Sequence, residues 1–191
     1  MNKRDTDLLH RLYLDSDFLR WAVVYPSLCH AWDACAWGDR LLWLAAKVGV
    51  RQQDLALAAV ACARPALKYV PEGEDALLIA LDYAEMLAMG LGGVTLEDVR
   101  AAADAAGAAD AAYYAADAAN AAVNAATSVS YAAAANASYA AVANASYAAV
   151  AAAACGSGYA ARADSLRHSA DLVRAYIPWS TLARAIRSMK P

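Results

Sequence analysis

The chain has 191 residues, enough for one domain of ordinary size, and carries a formal charge of −3 with a pI near 5.5. That balance excludes a general nucleic-acid binder, which needs a basic face to neutralise phosphates. Hydrophobic residues make up 61% of the sequence, but alanine supplies much of that figure and buries little area, so the core must come from Leu, Trp and Val in Leu8–Val99 and Leu166–Met189.

From the start, Asp5 or Asp7 is expected to cap a helix running to about Leu14, and Asp15 or Ser16 a second to about Tyr25, where Pro26 breaks it. Ser27 opens a third segment, Ser27–Ala36. Gly38-Asp39 starts Arg40–Val48, in which Leu41, Leu44, Ala45 and Val48 form an apolar stripe, and Gly49 provides a left-handed stop. Asp54 begins a helix through Cys62, and Pro65 should kink or end it. Pro71-Glu72-Gly73-Glu74 reads as a turn leading into a helix over Glu74–Met89, closed by Gly90, Gly92 and Gly93. Thr95-Leu96-Glu97-Asp98 has the spacing of a capping box.

An alanine-rich tract follows, helical by intrinsic preference. One unbroken helix from Leu96 to Ala154 would be about 90 Å long, against a radius of gyration of roughly 16 Å for a compact chain of this size. Breaks are therefore expected near Thr127 and Gly156, giving two long alanine helices. A third helix follows over Tyr159–Tyr176, and Pro178 separates a last helix capped by Ser180. Within the tract an eight-residue repeat is legible as SVSYAAAA, NASYAAVA and NASYAAVA, starting at Ser128, Asn136 and Asn144. Eight residues overshoot two helical turns by about 80°, so Tyr131, Tyr139 and Tyr147 spiral round a straight helix and do not line one face. An even period would also suit a β-solenoid, which alanine's poor fit to strands disfavours. The fold expected is all-α: a bundle of short helices over residues 1–93, the tract over 94–158, and C-terminal helices over 159–191 that pack with the N-terminal region as one domain.

Ala118–Ala161 contains no charged residue and is long enough to span a bilayer. Asn and Ser recur through it, Leu, Ile and Phe are missing, and no aromatic or basic belts flank it, so no membrane association is expected. The four cysteines, Cys29, Cys35, Cys62 and Cys155, form no tight framework, and MNKRDTDLLHRL lacks the apolar core of a secretory signal. A cytoplasmic protein with reduced thiols is the expectation.

Chemistry-bearing clusters are sparse. Cys29, His30 and Cys35, with Asp33 between, have no second ligand pair and do not match zinc spacing, so neither metal nor other cofactor is expected. Cys62 or Cys155 would need His10, His30 or His168 nearby to act as a nucleophile. Asp33 with Asp39, or Glu72, Glu74 and Asp75, could act as paired carboxylates, but helix starts and solvated turns account for them. The strongest signal is the crowding of Trp21, Trp32, Trp37 and Trp43 with Arg20 and Arg40, residue types that dominate binding hot spots.

Several motifs resemble a known family. Trp37-Gly38-Asp39-Arg40-Leu41-Leu42-Trp43-Leu44-Ala45, Ala61-Cys62-Ala63-Arg64 with Ala66-Leu67 and Tyr69-Val70-Pro71-Glu72-Gly73-Glu74, the alanine-rich tract, and Ala170-Asp171-Leu172-Val173-Arg174 with Ile177-Pro178-Trp179 are similar in order to the all-helical immunity proteins of bacteria and their phages. The tract departs from that pattern in carrying Asn and Ser where such tracts often carry Asp. The resemblance implies a cytosolic protein that neutralises a toxin by binding it and is not itself an enzyme. It assigns no functional residues. Side-chain chemistry selects Trp37, Arg40 and Trp43 as anchors, with Asp39, Arg64, Glu72 and Glu74 as a charged rim. Two other readings stay open. One is a nucleotide-like small ligand bound by Tyr131, Asn136, Tyr139, Asn144 and Tyr147; the other is a helical module that forms a homo-oligomer.

Overall fold

Several helices in the computed structural model, which describes residues 1–12, 16–65, 75–95, 97–99, 101–102 and 158–189, have ends explained by their terminal residues. The elements are α1 (Lys3–Arg11), α2 (Ser16–Ala22), α3 (Leu28–Ala34), α4 (Gly38–Lys47), α5 (Gln52–Ala63), α6 (Asp75–Met89), α7 (Gly158–Tyr176) and α8 (Trp179–Ser188), and no strand occurs among the described residues. The chain is all-α in this part, as its sequence predicts. The two alanine helices, the Thr127 hinge, the turn at 71–74 and the tyrosine repeat lie outside the described residues.

The N-terminal caps differ from expectation. Asn2, not Asp5 or Asp7, caps α1: its Oδ1 accepts the Asp5 N–H at 2.8 Å, and its Nδ2 donates to Asp5 Oδ2 at 3.0 Å. Asp5 is a cap, but for another helix, since its Oδ2 also accepts the Leu28 N–H at 2.9 Å and satisfies an orphan donor at the start of α3. The helix α2 ends at Ala22, three residues before Tyr25, and residues 23–27 turn the chain. Ser180 does not cap α8 either. Pro178 is the N-cap, with extended φ/ψ, and its carbonyl accepts the first helical bonds from Thr181 and Leu182, which puts Ser180 inside the first turn.

Other boundaries follow the sequence closely. At the end of α4, Gly49 adopts φ +83°; its N–H donates to the Ala46 carbonyl and the Val50 N–H to the Ala45 carbonyl, a paired closure that a left-handed residue makes possible. Gly90 and Leu91 close α6 the same way onto Leu87 and Met86. Thr95 and Asp98 form the expected capping box, with the Asp98 N–H on Thr95 Oγ1 at 3.2 Å and the Thr95 N–H on Asp98 Oδ2 at 2.8 Å. Those bonds, led by the one from the Thr95 hydroxyl, hold the Asp98 carboxyl below its ordinary pKa. Gln52 starts α5 two residues earlier than Asp54, whose carboxylate instead pairs with Arg51 at 2.8 Å.

Packing is organised around α5. Ala56, Ala58, Ala59, Val60, Cys62 and Ala63 are all buried, so this helix is apolar on most sides and has neighbours on several faces: α4, α6 and α7. The helix α7 lies against both α4 and α5, bringing the C-terminal part of the chain onto the core built by the first six helices. Small residues permit a close crossing there. A Cβ built on Gly38 would sit 2.7 Å from Ser169 Cβ and 3.0 Å from the Ala170 nitrogen. The Cys62 thiol donates to the Ser169 carbonyl at 3.5 Å, and Ser169 is itself buried. The α4 stripe of Leu41, Leu44, Ala45 and Val48 is buried as its spacing predicts, together with Leu42.

A second tie runs from α7 to the end of α3. Arg174 donates through Nη1 to the Trp32 carbonyl at 3.2 Å and the Cys35 carbonyl at 2.7 Å, while its Nη2 reaches Asp171 at 2.6 Å. A guanidinium there answers carbonyls at the end of α3 and the negative end of its dipole.

Candidate functional site

The described residues among those nominated from sequence lie on several elements. Trp32 is 1% exposed, and its ring is among the largest fully buried groups of the core. Arg20 is exposed and pairs within its own helix to Asp17 at 3.5 Å. Arg64, expected in a charged rim, reaches α6: its Nη2 bonds Asp82 at 2.9 Å and also Glu85. Burial works against that guanidinium's charge, but the bonds to Glu85 and Asp82 outweigh it and raise its pKa above the ordinary value. The pairing clamps the end of α5 to α6. Glu72 and Glu74 lie outside the described residues, as do Tyr131, Asn136, Tyr139, Asn144 and Tyr147.

What the structure does assemble is an aromatic group at the junction of α2, α3 and α4. Trp21 is its hub. The Trp21 ring stacks on Phe18 with centroids 5.5 Å apart, meets Tyr25 at 4.9 Å, and takes Trp37 edge-on at 5.2 Å and 73°. Arg40 closes the group from α4, its guanidinium carbon 5.3 Å from the Trp37 ring centre and 5.7 Å from that of Phe18. Phe18 is buried, whereas Trp21, Tyr25, Trp37 and Arg40 are half-buried, and Val24 in the adjoining turn is 75% exposed. Asp39, also half-buried, stands in the first turn of α4, where a carboxylate meets the positive helix end. Trp43 lies farther along α4 and carries Lys47 over its ring at 5.2 Å, a second cation–aromatic contact.

Trp37 and Arg40 are therefore in contact, and Trp43 is not part of their ring contacts. Phe18 and Tyr25 were missed. Part of the signal was available: Phe18 and Trp21 are spaced i, i+3 on α2, the interval that brings side chains together on one helical face, whereas Tyr25 lies in the turn beyond it.

The thiols are placed by burial. Desolvation pushes Cys35 up to about 11 and Cys62 up to about 12, so neither holds thiolate at neutral pH. Cys29 is partly exposed, and its pKa is raised first by desolvation and then by Asp33, toward which its sulfur points at 3.8 Å. Cys155 lies outside the described residues. Groups of three or more His, Cys, Asp or Glu able to hold a metal do not occur among the described residues. No helix among those residues is long and apolar enough to cross a membrane.

The buried thiols carry a pH prediction. Each has a folded pKa above its unfolded value of about 9.0, so its contribution to stability is complete below pH 9 and is lost as pH rises through 11 to 12. The urea midpoint should fall over that window in the wild-type chain, and the fall should be shallower in Cys62→Ala; equal slopes would show that Cys62 is not responsible.

Compared with protein-family models, curated proteins and solved structures, the chain matches none.

Proposed function

We propose that this chain is a binding protein of the immunity type, which neutralises a protein toxin by non-covalent contact and performs no catalysis of its own. The observation that carries the reading is the half-buried group of Trp21, Tyr25 and Trp37 with Arg40 laid across it. Tryptophan, tyrosine and arginine supply most of the energy in protein interfaces. Here their rings are already fixed against one another, so little side-chain entropy remains to be lost on docking. Val24 extends the apolar surface at the edge. On this reading the chain acts in the cytoplasm and needs no cofactor.

The test is growth rescue. A toxin encoded beside this gene should halt growth when expressed alone, and growth should return when this chain is expressed with it. The Trp37→Ala Arg40→Ala variant, folded as judged by circular dichroism, should fail to rescue. A folded wild-type chain that gives no rescue and no complex with that toxin by size-exclusion chromatography would overturn the proposal.

A further inference from the structure

The first and last described helices enclose a cleft of about 380 Å³, separate in composition from the aromatic group of α2–α4. Its two walls are helical stripes. Arg4, Leu8 and Arg11 recur at i, i+4 and i+7 along α1, and Trp179 and Arg187 approach from α8 with Ile186. Three arginines thus line a cleft whose apolar lining includes one aromatic side chain. Asp5 is the carboxylate among the lining residues, and its Oδ2 is committed to the Leu28 N–H and to Asn2. The lining carries three arginines against one aspartate, a local charge of +2, in a chain whose net charge is −3.

The placement of Arg4 is unfavourable for the helix alone, since the first turn of α1 is its positive end. Arg11 and Arg187 stand in the last turns of their helices, where a cation is favoured. Among the described residues, no carboxylate lies within ion-pair distance of any of the three. The volume lies at the lower end of the range for small-molecule pockets, about 300–1,000 Å³.

We infer that this cleft binds a small amphipathic anion, one phosphate or carboxylate group held by Arg4, Arg11 and Arg187 on a ring-sized apolar body seated against Leu8, Ile186 and Trp179. Guanidinium forks match the geometry of such oxyanions, and the apolar floor excludes water from one side of the contact. The anion supplies the charge and the ring supplies the burial, so neither part alone should bind as well.

Calorimetric titration of the full chain with 1-naphthyl phosphate, inorganic phosphate and 1-naphthol tests this. The naphthyl phosphate is expected to bind at least tenfold more tightly than either fragment. Binding should weaken at least tenfold in Arg4→Gln Arg11→Gln Arg187→Gln, a triple variant of exposed positions whose melting temperature should stay near wild type. It should also weaken with added salt. Absence of binding at millimolar naphthyl phosphate, equal binding of 1-naphthol, or undiminished affinity in the triple variant would each overturn the assignment.

Discussion

Gly38→Ala should destabilise the fold by about 1–3 kcal/mol, the range for overpacking a filled site, and Gly38→Val by more. The new methyl would stand 2.7 Å from Ser169 Cβ and 2.8 Å from the Ser169 carbonyl carbon. The latter is backbone of a 19-residue helix, which cannot swing aside as a long side chain would. Alanine is a better helix former than glycine by about 1 kcal/mol in a helix interior, but Gly38 is the first residue of α4, where that gain is smaller. The steric term wins. Gly49→Ala provides the contrast, because nothing lies within 4 Å of its Cβ position and any loss there comes from φ +83° alone, about 1–2 kcal/mol. Urea unfolding tests the steric account: Gly38→Val should lose more than Gly38→Ala. Two equal losses would mean that α4 and α7 are not in close contact.

Trp32→Ala is expected to cost about 3–5 kcal/mol, a large share of the roughly 5–15 kcal/mol that stabilises a domain. The Trp32 ring is 1% exposed, within a core to which all eight described helices contribute. The cost is the lost burial plus the cavity left where a large ring stood. The backbone bonds around it would remain, since Arg174 contacts the Trp32 carbonyl and not its ring. Trp32→Phe should fall between wild type and alanine in urea midpoint. A midpoint for Trp32→Ala within error of wild type would show that this ring is not a core element.

These two sites show what the sequence could and could not reveal. Gly38 is readable as the start of a helix, but its contact is with Ser169 and Ala170, far along the chain, and no local pattern announces such a crossing. The α4 stripe, the Gly49 stop and the Thr95–Asp98 box were legible because each is closed within a few residues. Asp5 was misread for the opposite reason: its partner amide belongs to Leu28, so its role depends on how α1 meets α3. Ser180 was misplaced because a serine after proline resembles a cap, whereas the extended Pro178 already provides the helix's first carbonyl.

The candidate surface divides in the same way. Crowding of tryptophans in sequence could not separate Trp32, which points into the core, from Trp21 and Trp37, which meet near the surface. Arg64 and Arg40 look equivalent as cations. Only the packing of α6 gives the first to Asp82 and Glu85, and only the approach of α2 puts the second over Phe18. A rim residue and a structural clamp are distinguished by tertiary neighbours, not by charge.

Isothermal titration of this chain against the purified product of the gene beside its own, inactivated by mutation if it is toxic, tests the proposed binding role most directly. Wild type should bind with nanomolar affinity, and Trp37→Ala Arg40→Ala, destabilised by the lost ring packing but folded at the temperature of the titration, should bind at least 100-fold more weakly, about 2.7 kcal/mol. Equal affinity of the folded variant and the wild type would contradict the assignment of the Trp21, Tyr25, Trp37 and Arg40 surface as the site of contact.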